Sequence, residues 1–258
     1  MQSLRSTNPA LTAVFAQPQT WDAALGSERR PGAMTLQGSV TATMILLGLC
    51  SATAVAVWWW MGQQAELSRA ALPAALGSAV VALILGLVIT FKPRTAPVLA
   101  PVYAVLEGAF VGAISWVYAA SFGDQIVFQA GLLTFGILAA LLVAYKSRLI
   151  RPTENFKLGV AAATMGVMFL FLATFLLQLF GVTVPYLWDS SPIGIGIAGV
   201  IVVIAALNLV LDFDFIERAS EAGQPKHMEW YAGFGMLVTL VWLYLSLLRL
   251  LALLGDRD

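Results

Sequence analysis

The chain has 258 residues, of which 60% are hydrophobic and only 11% are charged, and its mean hydropathy is +0.86. A soluble domain is usually about a quarter charged, so this composition excludes an ordinary water-soluble fold. Fourteen basic residues balance fourteen acidic ones, and this balance gives no net field that would favour nucleic acid or an acidic partner. The composition therefore predicts an all-α integral membrane protein.

The chain divides into a polar tail and one apolar domain. Residues 1–33 are interrupted by prolines and glycines, which predicts a mostly disordered cytoplasmic tail. Residues 34–258 contain apolar runs close to the length of about 20 residues that crosses a hydrocarbon core, which predicts seven transmembrane helices. The runs lie near 36–61, 71–91, 98–121, 126–145, 158–181, 193–216 and 230–254.

The distribution of lysine and arginine predicts the orientation, because cytoplasmic connections are enriched in these residues. One side of the bundle carries eleven of them: Arg5, Arg29, Arg30, Lys92, Arg94, Lys146, Arg148, Arg151, Lys157, Arg218 and Lys226. The other side carries three: Arg69, Arg249 and Arg257. The N-terminus is therefore predicted inside and the C-terminus outside, in the inner membrane if the protein is bacterial. An aromatic belt is then expected at the outer interface from Trp58, Trp59, Trp60, Tyr186 and Trp188.

Residues typical of catalysis are scarce in this sequence. There is one histidine, His227, in a connection, and one cysteine, Cys50, in an apolar run, so a zinc site or a redox pair is not predicted. No lysine lies in the middle of a span, which excludes a retinal Schiff base of the usual kind. We therefore expect neither an enzyme nor a bound cofactor.

Glu107 is the most informative single residue, because it lies about 15 Å into the third span. An ionisable side chain at that depth costs at least about 2.5 kcal/mol. Tyr103, one turn earlier, lies on the same face and can donate a hydrogen bond. Two interpretations stay open: a protonated structural glutamate, or an ion or proton site. In the same span, Gly108 and Gly112 have the spacing of close helix packing.

The sixth span ends in "LNLVLDFDFIE", which carries Asp212 and Asp214. Residues two apart on a helix point about 200° apart, so these two acids are not expected to share one site. Asp212 shares a face with Asn208, and Asp214 shares one with Arg218, which predicts an Asp214–Arg218 pair. By position alone, the acids are typical of a solvated helix end.

Three segments resemble the Bax inhibitor motif family, in a bacterial branch: "LEGAFVGAIS" in the third span, "LVLDFDFIE" in the sixth and "WLYLSLLRLL" in the seventh. The resemblance implies a calcium-leak channel gated by pH. It also implies that the last helix lies between two three-helix layers. A pair of aspartates, on the sixth and seventh spans, would act as the proton sensor and latch.

The acidic positions of the family's motifs align with particular residues of this chain. The family pattern assigns the sixth-span aspartate to Asp214 and the third-span acid to Glu107, while the seventh-span acid position falls on Ser246. A serine cannot share or release a proton near neutral pH, so the two-carboxylate latch is altered here. Asp212 and Glu229 are the substitute acids, although Glu229 also suits the first turn of the last helix.

The preferred hypothesis is a pH-sensitive calcium or cation leak channel, with Glu107, Asp214 and Asp212 as its ion and proton sites. The accessory residues are Tyr103, Asn208, Glu229 and Ser246. No firm metal site is predicted, although calcium suits the oxygens of Glu107 and Asp214. The alternatives are a non-conducting regulator that binds a membrane-protein partner such as a protease, and a proton-coupled transporter. The expected partners are the lipid bilayer and calcium or protons, with no nucleic acid.

Overall fold

The computed structural model describes residues 32–63, 68–150, 152–182 and 189–256. Within these ranges the chain forms seven α-helices and no β-strand. They are α1 Leu36–Gly62, α2 Ser68–Phe91, α3 Ala96–Phe122, α4 Gln125–Lys146, α5 Glu154–Leu179, α6 Pro192–Glu221 and α7 Met228–Gly255. A short 3₁₀ helix, Pro93–Thr95, joins α2 to α3. The predicted all-α fold is confirmed.

Six of these helices are long and apolar enough to cross a membrane, and α2 contributes a shorter apolar stretch, Leu76–Phe91. The predicted boundaries are close to the observed ones, with two differences at the same end of the bundle. Helix α6 continues to Glu221, five residues beyond the predicted limit, and α5 begins four residues earlier than predicted, at Glu154. The acids of α6 therefore lie within a continuing helix and not at its end.

Hydroxyl side chains fix where several helices begin. The side chain of Thr35 accepts from the backbone N–H of Gly38 at 2.9 Å, and Ser191 accepts from Gly194 at 3.1 Å. Each hydroxyl satisfies a first-turn donor that has no partner inside its helix. Helix α3 ends before Gly123, whose φ of 86° is a left-handed conformation that glycine adopts without steric cost.

Helix α7 is central in the bundle. It packs against α1 and α3 on one side and against α4 and α6 on the other. Helices α1 and α2 both pack against α3, while α4 and α5 both pack against α6. The two groups of three helices with α7 between them confirm the predicted layers.

The predicted tail, residues 1–33, lies outside the described residues except for its last two. Gly32 accepts a backbone hydrogen bond from Lys226 at 2.9 Å, and Ala33 forms an isolated bridge with Pro225. Just beyond, the N–H of Met34 donates to the carbonyl of Gln224 at 2.6 Å. The segment before α1 is therefore held by the α6–α7 connection.

Candidate ion and proton site

Asp214 is buried and is held by cations from two helices. Its Oδ2 lies 2.5 Å from Nζ of Lys157, near the start of α5, and 3.0 Å from Nε of Arg218, one turn further along α6. The expected pair with Arg218 is therefore present. Only 12% of the Asp214 side chain is exposed, so the interpretation of this acid as a solvated helix end is wrong. Helix α6 continues for two further turns, and Lys157 covers the carboxylate.

Further charges extend this pair into a cluster. Glu154 is an exposed residue at the first position of α5, and its Oε1 lies 3.2 Å from Lys157 and 3.3 Å from Arg218. On the neighbouring helix, the hydroxyl of Tyr145 donates to Oε2 of Glu217. Both contacts join α6 to another helix, α5 in the first case and α4 in the second. We call Glu154, Lys157, Asp214 and Arg218 the α5–α6 ion cluster.

Asp212 points to a different neighbour, as the two-residue spacing predicts. Its carboxylate lies beside the hydroxyl of Thr239 on the central helix α7. Its Oδ2 is shielded from solvent and has no hydrogen-bond partner within the described part of the chain. An unpaired buried carboxylate oxygen is costly. Asp212 is therefore not solvated either, and it presents an oxygen that a proton or a cation can satisfy.

The α7 residue beside Asp212 is Thr239. Ser246 lies two turns further along α7, where its hydroxyl donates to the carbonyl of Trp242 at 2.7 Å. The two oxygens of Asp214 face Lys157 and Arg218 instead. The partners of Asp214, which the sequence left open, are therefore Lys157 and Arg218, while the α7 hydroxyl beside Asp212 belongs to Thr239.

Glu107 lies on α3 beside Tyr103, as predicted, and close to Cys50 of α1. The Tyr103 ring makes an edge-on contact with Phe234 of α7, with 4.9 Å between ring centroids. A methyl group built on Gly108 would overlap the backbone of Cys50. The glycine pattern in α3 is therefore confirmed as a close helix contact. It places half-buried Glu107 next to the α1–α3 interface.

Two accessory residues have structural partners. The side-chain amide of Asn208 donates to Oγ1 of Thr164 on α5 at 2.8 Å, so this contact lies away from the carboxylates. Buried Glu229 accepts from both the backbone N–H and the hydroxyl of Thr35, at 2.9 and 3.0 Å. The prediction for Glu229 was incomplete, because this acid joins the start of α7 to the start of α1.

The acids are spread over separate sites. Among the described residues, no group of three or more histidine, cysteine, aspartate or glutamate side chains could hold a metal ion. The oxygens of Asp214 are occupied by cations, so calcium could approach them only after Lys157 or Arg218 moves. Tyr186 and Trp188 of the predicted aromatic belt lie outside the described residues, whereas Trp59 is 63% exposed, as an interfacial residue should be.

Sequence reasoning found the acids but missed Lys157 and Thr239. In the sequence, Lys157 is one of several basic residues between the fourth and fifth apolar runs. Thr239 gave no signal, since a threonine in an apolar helix commonly bonds its own backbone, as this one does to Gly235. The usable signal for Lys157 was its position at the same end of the bundle as Asp214.

These features define a multi-pass helical membrane protein with acids inside its bundle. A family model described as Bax inhibitor 1 like matches residues 7–256, which is nearly the whole chain. The protein therefore belongs to the Bax inhibitor 1-like family. No curated protein and no solved structure matches the chain.

Proposed function

We propose that this protein is a pH-sensitive leak pathway for cations, with calcium as the preferred cargo. The observation that carries the proposal is the α5–α6 ion cluster, in which buried Asp214 holds Lys157 at 2.5 Å and Arg218 at 3.0 Å. The cluster joins two helices at one end of the bundle through a group that can lose its charge. A link between helices that depends on one charge can act as a gate.

The acids inside the bundle support a cation pathway. Asp212 offers a shielded oxygen that has no hydrogen-bond partner among the described residues, and Glu107 is a half-buried carboxylate on a spanning helix. Hard carboxylate oxygens suit calcium. Each acid stands apart from the other, and conduction requires weak binding at successive sites that an ion can leave again. Calcium is therefore treated as cargo and not as a resident ion.

The gate responds to the protonation of Asp214. A carboxylate attracts the ammonium of Lys157 and the guanidinium of Arg218, whereas a protonated carboxyl carries no charge and holds neither strongly. Glu154 pairs with the same two cations, but its side chain is 78% exposed, so these contacts are too weak to replace the buried link. Acidification should therefore loosen α5 from α6 and raise the flux, and a return to neutral pH should lower it.

Flux measurements in liposomes test this proposal. The purified protein is reconstituted with a calcium dye inside, and the initial rate is recorded from neutral to acidic pH. Asp214→Asn imitates the protonated acid, so its flux at neutral pH should equal the acid-stimulated flux of the wild type and change little with pH. Glu107→Gln and Asp212→Asn should lower flux at every pH, because each removes an oxygen charge from the pathway.

The matched control is Asp124→Asn, which removes an exposed carboxylate at the α3–α4 turn. It should leave both the rate and the pH profile unchanged. The proposal is wrong if the wild type conducts no faster than empty liposomes at any pH. The gate assignment alone is wrong if Asp214→Asn conducts with the wild-type pH profile.

One observation favours a second candidate, a non-conducting regulator. Both oxygens of Asp214 are occupied by cations, so no oxygen of this acid is open to calcium in this conformation. In that case the basic α4–α5 connection and the tail would bind a membrane-protein partner. Capture of that partner from membranes should then survive Glu107→Gln but fail when residues 1–31 are removed.

A further inference from the structure

A groove of about 790 Å³ runs between α1 and α4 at the end of the bundle that carries Asp214. Its rims are exposed side chains of the two helices, Met44 at 64% and Leu142 at 49%. A second cavity of about 750 Å³ follows between the same helices, and both are lined by Leu47 of α1 and Leu240 of α7. The gap between α1 and α4 therefore opens sideways towards the bilayer, and α7 forms its floor.

The inner part of this α1–α4 groove is lined by aliphatic and aromatic groups. Six of its lining residues are Leu47, Leu138, Leu142, Phe213, Met236 and Leu240. They belong to α1, α4, α6 and α7, so the apolar surface is built by four helices. A concave apolar surface that opens into hydrocarbon fits an acyl chain.

Two acids and two bases line the polar end of the groove. Each acid already has a partner: Asp214 pairs with Lys157, and Glu217 accepts from Tyr145. The bases are Lys146 and Arg148, neither of which forms an ion pair with any residue the structure describes. When the ion cluster is included, the four cations at this end (Lys146, Arg148, Lys157 and Arg218) outnumber the three acids (Glu154, Asp214 and Glu217) by one, and the two cations without an ion pair both line the groove.

The backbone holds Arg148 at this mouth. Its φ of 58° is left-handed, and the N–H groups of Leu149 and Ile150 both donate to the carbonyl of Ala144 to close the end of α4. Glycine is the usual residue at such a helix end, because other residues adopt this conformation only at a cost. The cation thus occupies a position where the backbone favours glycine, and it lines the groove directly.

We propose that the α1–α4 groove binds an anionic phospholipid of the membrane leaflet on this side. Its phosphate lies between Lys146 and Arg148, and one acyl chain lies along Leu142, Phe213 and Met236. Basic pockets between transmembrane helices bind anionic headgroups in this way. The site borders the α5–α6 ion cluster at Asp214, and it goes beyond the proposed function because it does not require conduction.

Native mass spectrometry of the full chain tests the site. The protein is purified in a neutral detergent and mixed with dioleoylphosphatidylglycerol or dioleoylphosphatidylcholine, and the bound copies and the melting temperature are measured. The wild type should retain one phosphatidylglycerol in preference to phosphatidylcholine and melt at a higher temperature with it. Lys146→Gln with Arg148→Gln should weaken this binding about thirtyfold. Glutamine keeps a Cβ, so the strain at residue 148 is unchanged.

Two further variants separate a groove from a charged surface. Lys92→Gln with Arg94→Gln removes the same charge from the connection between α2 and α3, and it should bind like the wild type. Met44→Trp fills the groove from its lipid-facing rim, and it should lose binding although it keeps both cations. Equal retention of phosphatidylglycerol by all variants would overturn the proposal. A wild type that is stabilised as well by inorganic phosphate as by phosphatidylglycerol would also overturn it.

Discussion

Lys157 of α5 and Asp214 of α6 form an ion pair in which Nζ lies 2.5 Å from Oδ2, with only 21% and 12% of the two side chains exposed. Arg218 approaches the same carboxylate from one turn along α6, at 3.0 Å. Helix α5 packs chiefly against α6 in this structure. A single carboxylate therefore provides the main charged link between α5 and the rest of the bundle.

Removing this link should destabilise the protein. Asp214→Asn leaves two cations facing a neutral group in a partly buried place, and we expect a loss of about 1–3 kcal/mol in the free energy of unfolding, between the values of surface and buried pairs. A double-mutant cycle with Lys157→Gln, measured by unfolding in mixed detergent, should give a favourable coupling energy.

Glu154→Gln provides the control for this cycle. Glu154 contacts the same lysine at 3.2 Å, but its side chain is 78% exposed. Its coupling with Lys157 should be small, as for other solvent-exposed pairs. If Glu154 and Asp214 show equal coupling energies with Lys157, burial does not strengthen the Asp214 pair. The proposed gate is then wrong.

Asp212 should show opposite effects on stability and on flux. Its Oδ2 is buried and has no hydrogen-bond partner in the part of the chain that the structure describes, so Asp212→Leu removes an unsatisfied polar group and should leave the free energy of unfolding unchanged or raise it by about 1 kcal/mol. The same change should lower calcium flux in liposomes. A large loss of stability in Asp212→Leu would show instead that the contact between this carboxylate and Thr239 is structural.

Much of the fold could be predicted from the sequence because long apolar runs separated by short polar connections allow few arrangements. The helix boundaries differ most at 154 and 221, where α5 and α6 extend past the apolar runs with charged residues. Hydropathy identifies the part of a helix that lies in hydrocarbon. It cannot detect a helical extension that is stabilised by an ion pair such as Lys157–Asp214.

The candidate site was less predictable. The spacing of Asp212 and Asp214 showed that they face different ways, and the structure gives them different neighbours, Thr239 and Lys157. No local pattern gives those neighbours, because they lie 27 and 57 residues away along the chain. The placement of the family's seventh-span acid position on Ser246 depends on a short motif in degenerate apolar sequence, and that motif gives no sign that Thr239 lies beside Asp212.

The glycines of α3 should be sensitive to any added side chain. A methyl group at Gly108 would overlap the carbonyl of Cys50, and one at Gly112 would overlap that of Ala54. Neither backbone can move without separating α1 from α3, so Gly108→Ala should cost about 1–3 kcal/mol as overpacking. Gly136→Ala in α4 meets nothing within 4 Å and should be neutral. Unfolding of both variants in the same detergent checks this, and equal stability would contradict the close contact.

Glu229 should matter for the attachment of α1. Its buried carboxylate accepts from the N–H and the hydroxyl of Thr35, at 2.9 and 3.0 Å, at the first turn of that helix. Glu229→Ala removes both bonds and should cost about 1.5–3 kcal/mol, the range for bonds to a charged group. Glu229→Gln keeps a carbonyl acceptor at the same place and should lose less.

Hydrogen exchange distinguishes local release from general destabilisation. In Glu229→Ala the amides of 34–39 should exchange faster, while those in the middle of α7 keep their protection, because the bond fixes only the end of α1. Gly38→Ala should give the same local pattern, since its methyl group would overlap the Glu229 carboxylate. Unchanged exchange at 34–39 in both variants would mean that the backbone bonds from Met34 to Gln224 and from Lys226 to Gly32 hold this segment without Glu229.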